Sequence, residues 1–235
     1  MDVKAILMGL SFSLMWSSAF ATARIIVAAA PPLHSLALRF FLAGVIAILI
    51  AKLMGQTWRL TKSQWRATLI FGLCQNALYL GLNFIAMQKI EASLAAIIAS
   101  TMPLLVALLG WIFLREKLRP LAVLGLLTGF FGVALIMSDR ITTGVDIKGL
   151  ILCVIAAVAL ATATLTMRGA SGGGNLLMVV GLQMLVGSSI LSVASWLWEP
   201  WFLVPSPALF WAFTYQIFIP GLTATLLWFA LVARL

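Results

Sequence analysis

Apolar residues run along this chain in eight long stretches, near residues 4–27, 33–54, 67–88, 92–114, 120–138, 147–167, 176–197 and 208–231. Polar or helix-breaking punctuation separates them: Pro31-Pro32, Gly55 to Lys62, Lys89-Ile90-Glu91, Arg115 to Pro120, Ser138 to Asp146, Gly172 to Gly174, and Glu199 to Pro207. A helix that crosses the hydrocarbon core needs about 20 apolar residues, and each stretch is near that length. Lipid offers the backbone no hydrogen-bond partners, so helices are the economical reading. The pattern therefore predicts an all-α, polytopic membrane bundle of eight spans. Trp58, Trp65, Trp111, Trp196, Trp198 and Trp201 cluster near span ends, where indole prefers the interface.

Composition narrows the classes. Of 235 residues, 63% are apolar and 9% charged, and mean hydropathy is +1.15. Soluble domains carry about 25% charged residues, so this chain could not cover its own surface in water. Soluble enzymes and nucleic-acid binders are excluded. Eight spans leave about 75 positions for ends and connections, with no room for a separate soluble domain. The net charge of +9 is a topology signal. With the N-terminus inside, Lys4, Lys52, Arg59, Lys62, Arg66, Arg115, Lys117, Arg119, Arg168 and Arg234 face the cytoplasm. Arg24, Arg39, Lys89, Arg140 and Lys148 fall on the other side. Ten against five places both ends in the cytoplasm. Lys4, an apolar run and Ala21-Thr22-Ala23 imitate a cleavable signal peptide, but the run is long enough to span and is read as a retained helix. Cys74 and Cys153 both lie inside apolar runs, so no disulfide framework is expected.

Self-similarity supplies a second layer of order. Lys4 and Arg24 bracket the first span, and Lys148 and Arg168 bracket the sixth, at an offset of 144. Phe84 to Ile90 aligns with Phe229 to Leu235 at an offset of 145. A five-helix unit repeated in this way enters the membrane from opposite faces, an inverted-topology repeat. Residues 1–138 form the first repeat, helices 1–5, and 146–235 form a partial second one, helices 6–8. On this arithmetic the counterparts of residues 91–138, a ninth and a tenth helix, are missing.

The stretch Ala86-Met87-Gln88-Lys89-Ile90-Glu91-Ala92-Ser93-Leu94-Ala95-Ala96-Ile97-Ile98, then Pro103-Leu104 and Leu114-Arg115-Glu116-Lys117-Leu118, resembles the EamA-type module of the drug/metabolite transporter superfamily. So do Gly125, Gly129 and Gly132-Val133, the Trp16-Ser17-Ser18-Ala19-Phe20 turn, and Leu38-Arg39-Phe40. The resemblance implies ten helices in two inverted repeats, a cavity drawn from helices one, three, four, six, eight and nine, and export of amino acids or other small metabolites. It also implies a bacterial inner-membrane location.

Candidate chemistry is sparse. Asp2, Glu91, Glu116, Asp139, Asp146 and Glu199 all fall at ends or connections, which disfavours proton antiport through a buried carboxylate. In helix three, Gly72, Asn76, Tyr79, Asn83 and Met87 are spaced 4, 3, 4 and 4 and form one stripe. Its amides and phenol can line a solute pocket or serve as interhelical glue. Ser100-Thr101-Met102-Pro103 interrupts helix four, and Pro220-Gly221 interrupts helix eight ahead of Thr223, Thr225 and Trp228. Interrupted helices mark a transporter site or a packing kink. Trp16 lies mid-way along helix one, where it can stack on a solute or fill the bundle. The substrate-binding candidates are thus Trp16, Asn76, Tyr79, Asn83, Ser100, Thr101, Thr223 and Trp228, with helix breaks at Pro103 and Pro220. Arg24 and Arg39 read as snorkelling anchors; either one, if it faced the cavity, would favour carboxylate-bearing substrates, and Gly125-x3-Gly129 reads as a packing motif.

No metal ligand set, cofactor or catalytic group is expected; His34, beside Pro31-Pro32, leaves an intramembrane serine protease without a buried histidine. The expected partners are a small-molecule substrate and the lipid bilayer, with no nucleic acid, and a second copy, as a homodimer, or a helix-completing chain is the further candidate. The expected function is a secondary transporter, an exporter of small polar metabolites working by alternating access. The alternatives are a non-transporting or assembly-partner derivative, or a multidrug exporter. Intact mass in the native membrane separates them at one point: two further helices would add about 5 kDa to the 25.4 kDa of this chain.

Overall fold

The computed structural model describes residues 3–142, 144–167 and 175–232. Asp2, Arg168, Gly172 to Gly174, Arg234 and Leu235 lie outside the described residues, as do the side chains of Asp139, Arg140 and Phe229. Among the described residues there are eight helices long and apolar enough to cross a membrane, and no strand. They are α1 (Lys4–Ala29), α2 (Pro32–Leu53), α3 (Lys62–Ala86), α4 (Ala92–Leu114), α5 (Pro120–Ser138), α6 (Ile147–Thr166), α7 (Leu176–Trp198) and α8 (Pro207–Trp228). Helix α3 starts several residues before its apolar run. The Thr61 hydroxyl accepts from the Gln64 N–H, and the Gln64 side chain accepts from the Thr61 N–H, a capping box set in the polar connection.

The seam between α2 and α7 forms the centre. Leu36, Phe40, Ala43, Ala47 and Ala51 follow helical spacing and are fully buried, while Leu38, Phe41, Leu49 and Leu53 on the other face are exposed, as suits lipid. Small residues allow close backbone contact: a Cβ on Gly44 would sit 3.0 Å from the Gly181 carbonyl oxygen, and one on Gly181 would sit 3.0 Å from that of Gly44. Ser188 Oγ donates to the Ala37 carbonyl across the same seam at 2.8 Å. The remaining helices arrange around it. Helix α3 packs on α6 and α7, α8 packs on α1 and α2, α4 bridges α1 and α6, and α5 makes its main contact with α4. Gly129 of α5 packs closely on Leu104 of α4, but Gly125 and Gly132 face open space, so the glycine motif contributes one close contact only.

The two central helices cap each other at both ends. The first N–H groups of a helix have no intrahelical acceptor. At the start of α2, Leu33 N–H donates to Glu199 Oε1 at 2.6 Å and His34 N–H to Glu199 Oε2 at 2.9 Å, and Ser195 Oγ holds the same carboxylate. At the start of α7, Met178 N–H donates to Gln56 Oε1 at 3.0 Å, and Thr57 N–H donates to Asn175 Oδ1 at 3.1 Å. The C-terminal end of each helix therefore supplies acceptors to the N-terminal end of its antiparallel neighbour.

Two segments leave α-helical geometry for π-helical geometry: Gly72–Tyr79 in α3 and Ile217–Ala224 in α8. The second begins 145 residues after the first. Helix α4 is interrupted at Ser100-Thr101, between Ala92–Ala99 and Met102–Leu114, with Pro103 in the first turn of the second piece. Replacing Glu199 with alanine removes an anionic cap and strands two N–H groups, a loss of about 1–3 kcal/mol. Glu199→Ala is expected to lower the thermal midpoint in detergent, and Glu199→Gln to lower it less; midpoints equal to wild type would refute the cap's contribution.

Candidate functional site

A cavity of about 310 Å³ opens where α1, α2, α3, α4, α6 and α8 converge. Such a volume suits a small metabolite. Aromatic rings form much of its wall. Trp16 of α1 stacks on Tyr79 of α3 with centroids 6.0 Å apart and planes 8° apart, and Phe12 lies 5.3 Å from Trp16 and 5.1 Å from Trp228 of α8. Ser18 and Tyr215 share a 2.7 Å hydroxyl–hydroxyl bond that ties α1 to α8.

The breaks in the helices supply the polar part. A π-turn lengthens the hydrogen-bond step to five residues and shifts the register of the helix beyond it. In α8, Thr223 Oγ1 donates to the Phe218 carbonyl and Thr225 Oγ1 to the Pro220 carbonyl, each five residues back. In α4, Ser100 Oγ donates to the Ile97 carbonyl at 2.6 Å and Thr101 Oγ1 to the Ile98 carbonyl at 2.7 Å. The hydroxyls beside the prolines thus bond back to carbonyls of the preceding turn.

Trp16, Asn76, Tyr79, Asn83, Ser100, Pro103, Pro220 and Trp228 all line the cavity. Thr101 is buried away from the lining, and Thr223 is exposed; Thr225 occupies the wall instead. Within the α3 stripe, Gly72 turns toward α7, where a Cβ would meet Val186 and the Gln183 carbonyl at 2.8 Å, while Met87 reaches the cavity. Both asparagines also carry protein contacts. Asn76 Nδ2 donates to the Gln183 carbonyl of α7 at 2.9 Å. Asn83 Nδ2 donates to the Tyr79 carbonyl, and its Oδ1 accepts from the Cys153 thiol of α6.

Arg39 departs from the snorkelling expected of it. It stands seven residues into α2, about 10 Å along the helix, and its side chain folds into the bundle, 4% exposed, on the cavity wall. Its guanidinium carbon lies 4.9 Å from the Phe40 ring centroid. Arg24 behaves as an anchor: it is exposed, and Nη1 donates to the Ile90 carbonyl at 3.2 Å. Among the described residues Arg39 has no ion pair, and no carboxylate lines the cavity.

Polar residues absent from the expected set complete the wall. Gln75, one position before Asn76, and Gln216 of α8 both line the cavity and are buried. Gln216 Nε2 donates to the Ala19 carbonyl and to Thr22 Oγ1, joining α8 to α1. Arg39 Nε, Gln75 Oε1, Gln216 Oε1 and the Tyr79 hydroxyl are buried without a hydrogen-bond partner, and all four belong to cavity-lining residues; the amide of Gln183 is also unpartnered but lies off the wall. Unsatisfied buried polar atoms are uncommon and point to an unmet ligand or water. Glutamines inside apolar spans were the available signal for two of these groups.

The sequence profile of the EamA-like transporter family matches residues 3–138. The chain is 27% identical over 181 residues to the Bacillus subtilis (strain 168) protein named uncharacterized transporter YvbV, a match that covers 77% of this chain and 59% of that protein. It is 24% identical over 226 residues to uncharacterized transporter YoaV of the same organism, covering 95% of this chain and 76% of YoaV. Protein PagO of Salmonella typhimurium (strain LT2) is 24% identical over 189 residues, 80% of this chain and 62% of PagO. The chain thus spans less than two thirds of YvbV and of PagO. A crystal structure of another protein superposes on 100% of this chain and 80% of its own, with a TM-score of 0.69 at 23% identity, a likeness of fold.

Loss of the Asn76–Gln183 bond removes a buried interhelical hydrogen bond and costs about 0.5–1.5 kcal/mol. Asn76→Ala should lower the unfolding midpoint accordingly; an unchanged midpoint would remove Asn76 from the α3–α7 contact energetics.

Proposed function

The chain belongs to the EamA-like transporter family, and from that premise we propose that it is a secondary transporter, an exporter that moves small polar metabolites such as amino acids through this cavity by alternating access. It is a multi-pass membrane protein. The observation that carries the reading is the cavity itself: an aromatic-walled chamber of about 310 Å³ with broken helices on its sides and unpartnered polar atoms in its walls. Interrupted helices at a central chamber are the recurrent design of secondary transporters, because a break frees polar groups only where a solute or water can meet them.

The inverted-repeat organisation, 1–138 against 146–235, belongs to the same proposal. Two observations support it. The π-segments stand 145 residues apart, the offset seen in the sequence. The contacts α3–α6 and α3–α7 also have counterparts in α8–α1 and α8–α2, five helices on. An inverted pair gives two equivalent packings, which is what alternating access requires. Placement of both ends in the cytoplasm rests on the lysine and arginine count, and placement in the inner membrane rests on the family. Among the described residues no acid lines the cavity, which argues for coupling other than protonation of a wall carboxylate. We read the protein as a carrier and not as an enzyme.

Reconstituted in liposomes, the protein is expected to catalyse counterflow of radiolabelled L-leucine. Asn83→Leu, which replaces a wall amide, is expected to reduce that flux about fivefold or more with expression intact, in line with loss of a hydrogen bond of about 1 kcal/mol. Flux unchanged by Asn83→Leu would assign the α3 stripe to packing; absence of counterflow in the parent protein would remove leucine-like solutes from the proposal.

A further inference from the structure

We propose that Arg39 is the anion-recognition group of the cavity and that the solutes it accepts carry a single carboxylate. The inference rests on the transport reading of the same chamber and names its substrate class.

Arg39 is 4% exposed and lies about 10 Å along α2 from its start, so its charge sits deep in the bundle, away from the helix ends. Its side chain lies against the break in α8: a Cβ added to Gly221 would sit 3.8 Å from Arg39 Nε. The Phe40 ring stands beside the guanidinium. A buried guanidinium normally carries a carboxylate partner or a full set of acceptors, because the uncompensated charge is costly in a low-dielectric interior. Here Nε has no partner, and among the described residues the wall contains no acid. The unpartnered acceptors on the same wall, Gln75 Oε1 and Gln216 Oε1, are neutral amides and cannot balance the charge.

A carboxylate on a solute in the chamber would supply the missing countercharge. A planar guanidinium matches a carboxylate with two parallel N–H···O bonds. One cation, with no second positive charge among the described wall residues, balances a monoanion; a phosphate would bring close to two negative charges and leave one uncompensated. A solute carboxylate that completes this pair would also bind more tightly in the closed chamber than in an open, wetted one. That difference between states is what transport coupling needs.

The test uses the full chain in lipid nanodiscs, with tryptophan emission as readout because Trp16 and Trp228 line the cavity. Four probes are titrated: L-leucine, 4-methylpentanoate (carboxylate without amine), isopentylamine (amine without carboxylate) and inorganic phosphate. 4-Methylpentanoate, and at higher concentration leucine, whose ammonium brings back one positive charge, are expected to change the emission and raise the melting temperature, while isopentylamine and phosphate leave both unchanged. Arg39→Gln is expected to weaken the carboxylate response by about tenfold or more, as expected for loss of a desolvated charge pair. Arg39→Lys should retain a weaker response than wild type. The unliganded Arg39→Gln protein is expected to melt no lower than wild type, since an uncompensated charge has been removed; a structural role would lower it. Should Arg39→Gln fail to fold, the wild-type preference for leucine over isopentylamine decides. Equal responses to leucine and isopentylamine, a response to phosphate but not to the carboxylates, or an Arg39→Gln response within twofold of wild type would overturn this inference alone. Silence from all four probes would overturn this inference and remove leucine-like solutes from the transport reading beneath it.

Discussion

Every peptide group that enters the hydrocarbon layer must find its hydrogen-bond partner inside the chain. That constraint makes the spans helical, and it also limits where they can depart from helical geometry. The π-segments of α3 and α8 and the interruption of α4 all border the cavity. In α8 and α4 the Thr223, Thr225, Ser100 and Thr101 hydroxyls bond back to carbonyls of the preceding turn. At the membrane surface the same requirement is met differently. Glu199 and Gln56 receive early N–H groups of α2 and α7.

The α2–α7 seam converts this local rule into architecture. In lipid there is little hydrophobic gain from bringing two helices together, so association depends on close van der Waals contact. Gly44 and Gly181 bring the two backbones within contact range, and the alanine stripe of α2 fills the seam with small side chains. Helices α3 and α8 then pack against this pair, α3 on α7 and α8 on α2. Their π-segments are thereby held around one chamber, much of whose wall is aromatic. The chamber sets a few polar groups in a largely apolar wall, the usual division in small-molecule sites.

The cavity wall shows how local polarity was only partly legible. Tyr79 and Asn83 could be placed on one face from spacing alone, and Trp16 stood out by its depth in α1. Yet the same spacing put Gly72 in their stripe, whereas the folded chain uses it as a contact surface for α7. The π-segment of α3 contains no proline, so no residue announced it; the π-segment of α8 was announced by Pro220. Arg39 was the largest departure. Its long stem can reach an interface or fold inward, and the choice depends on which helices surround it.

Eight membrane-crossing helices, their approximate limits and the family pattern they carry could all be read along the chain. Those features follow from apolar run length, turn residues and local motifs, all of which act within about 20 neighbouring positions. Which polar side chains share a chamber and which serve a seam was settled by the packed bundle alone. There Asn76 is committed to the Gln183 carbonyl, Thr223 to the outside and Thr225 to the wall, and Arg39 and Gln216 to the chamber. A side chain's neighbours in a bundle come from helices far away in the chain, and their rotation about their own axes is fixed by packing, not by any pattern within one span.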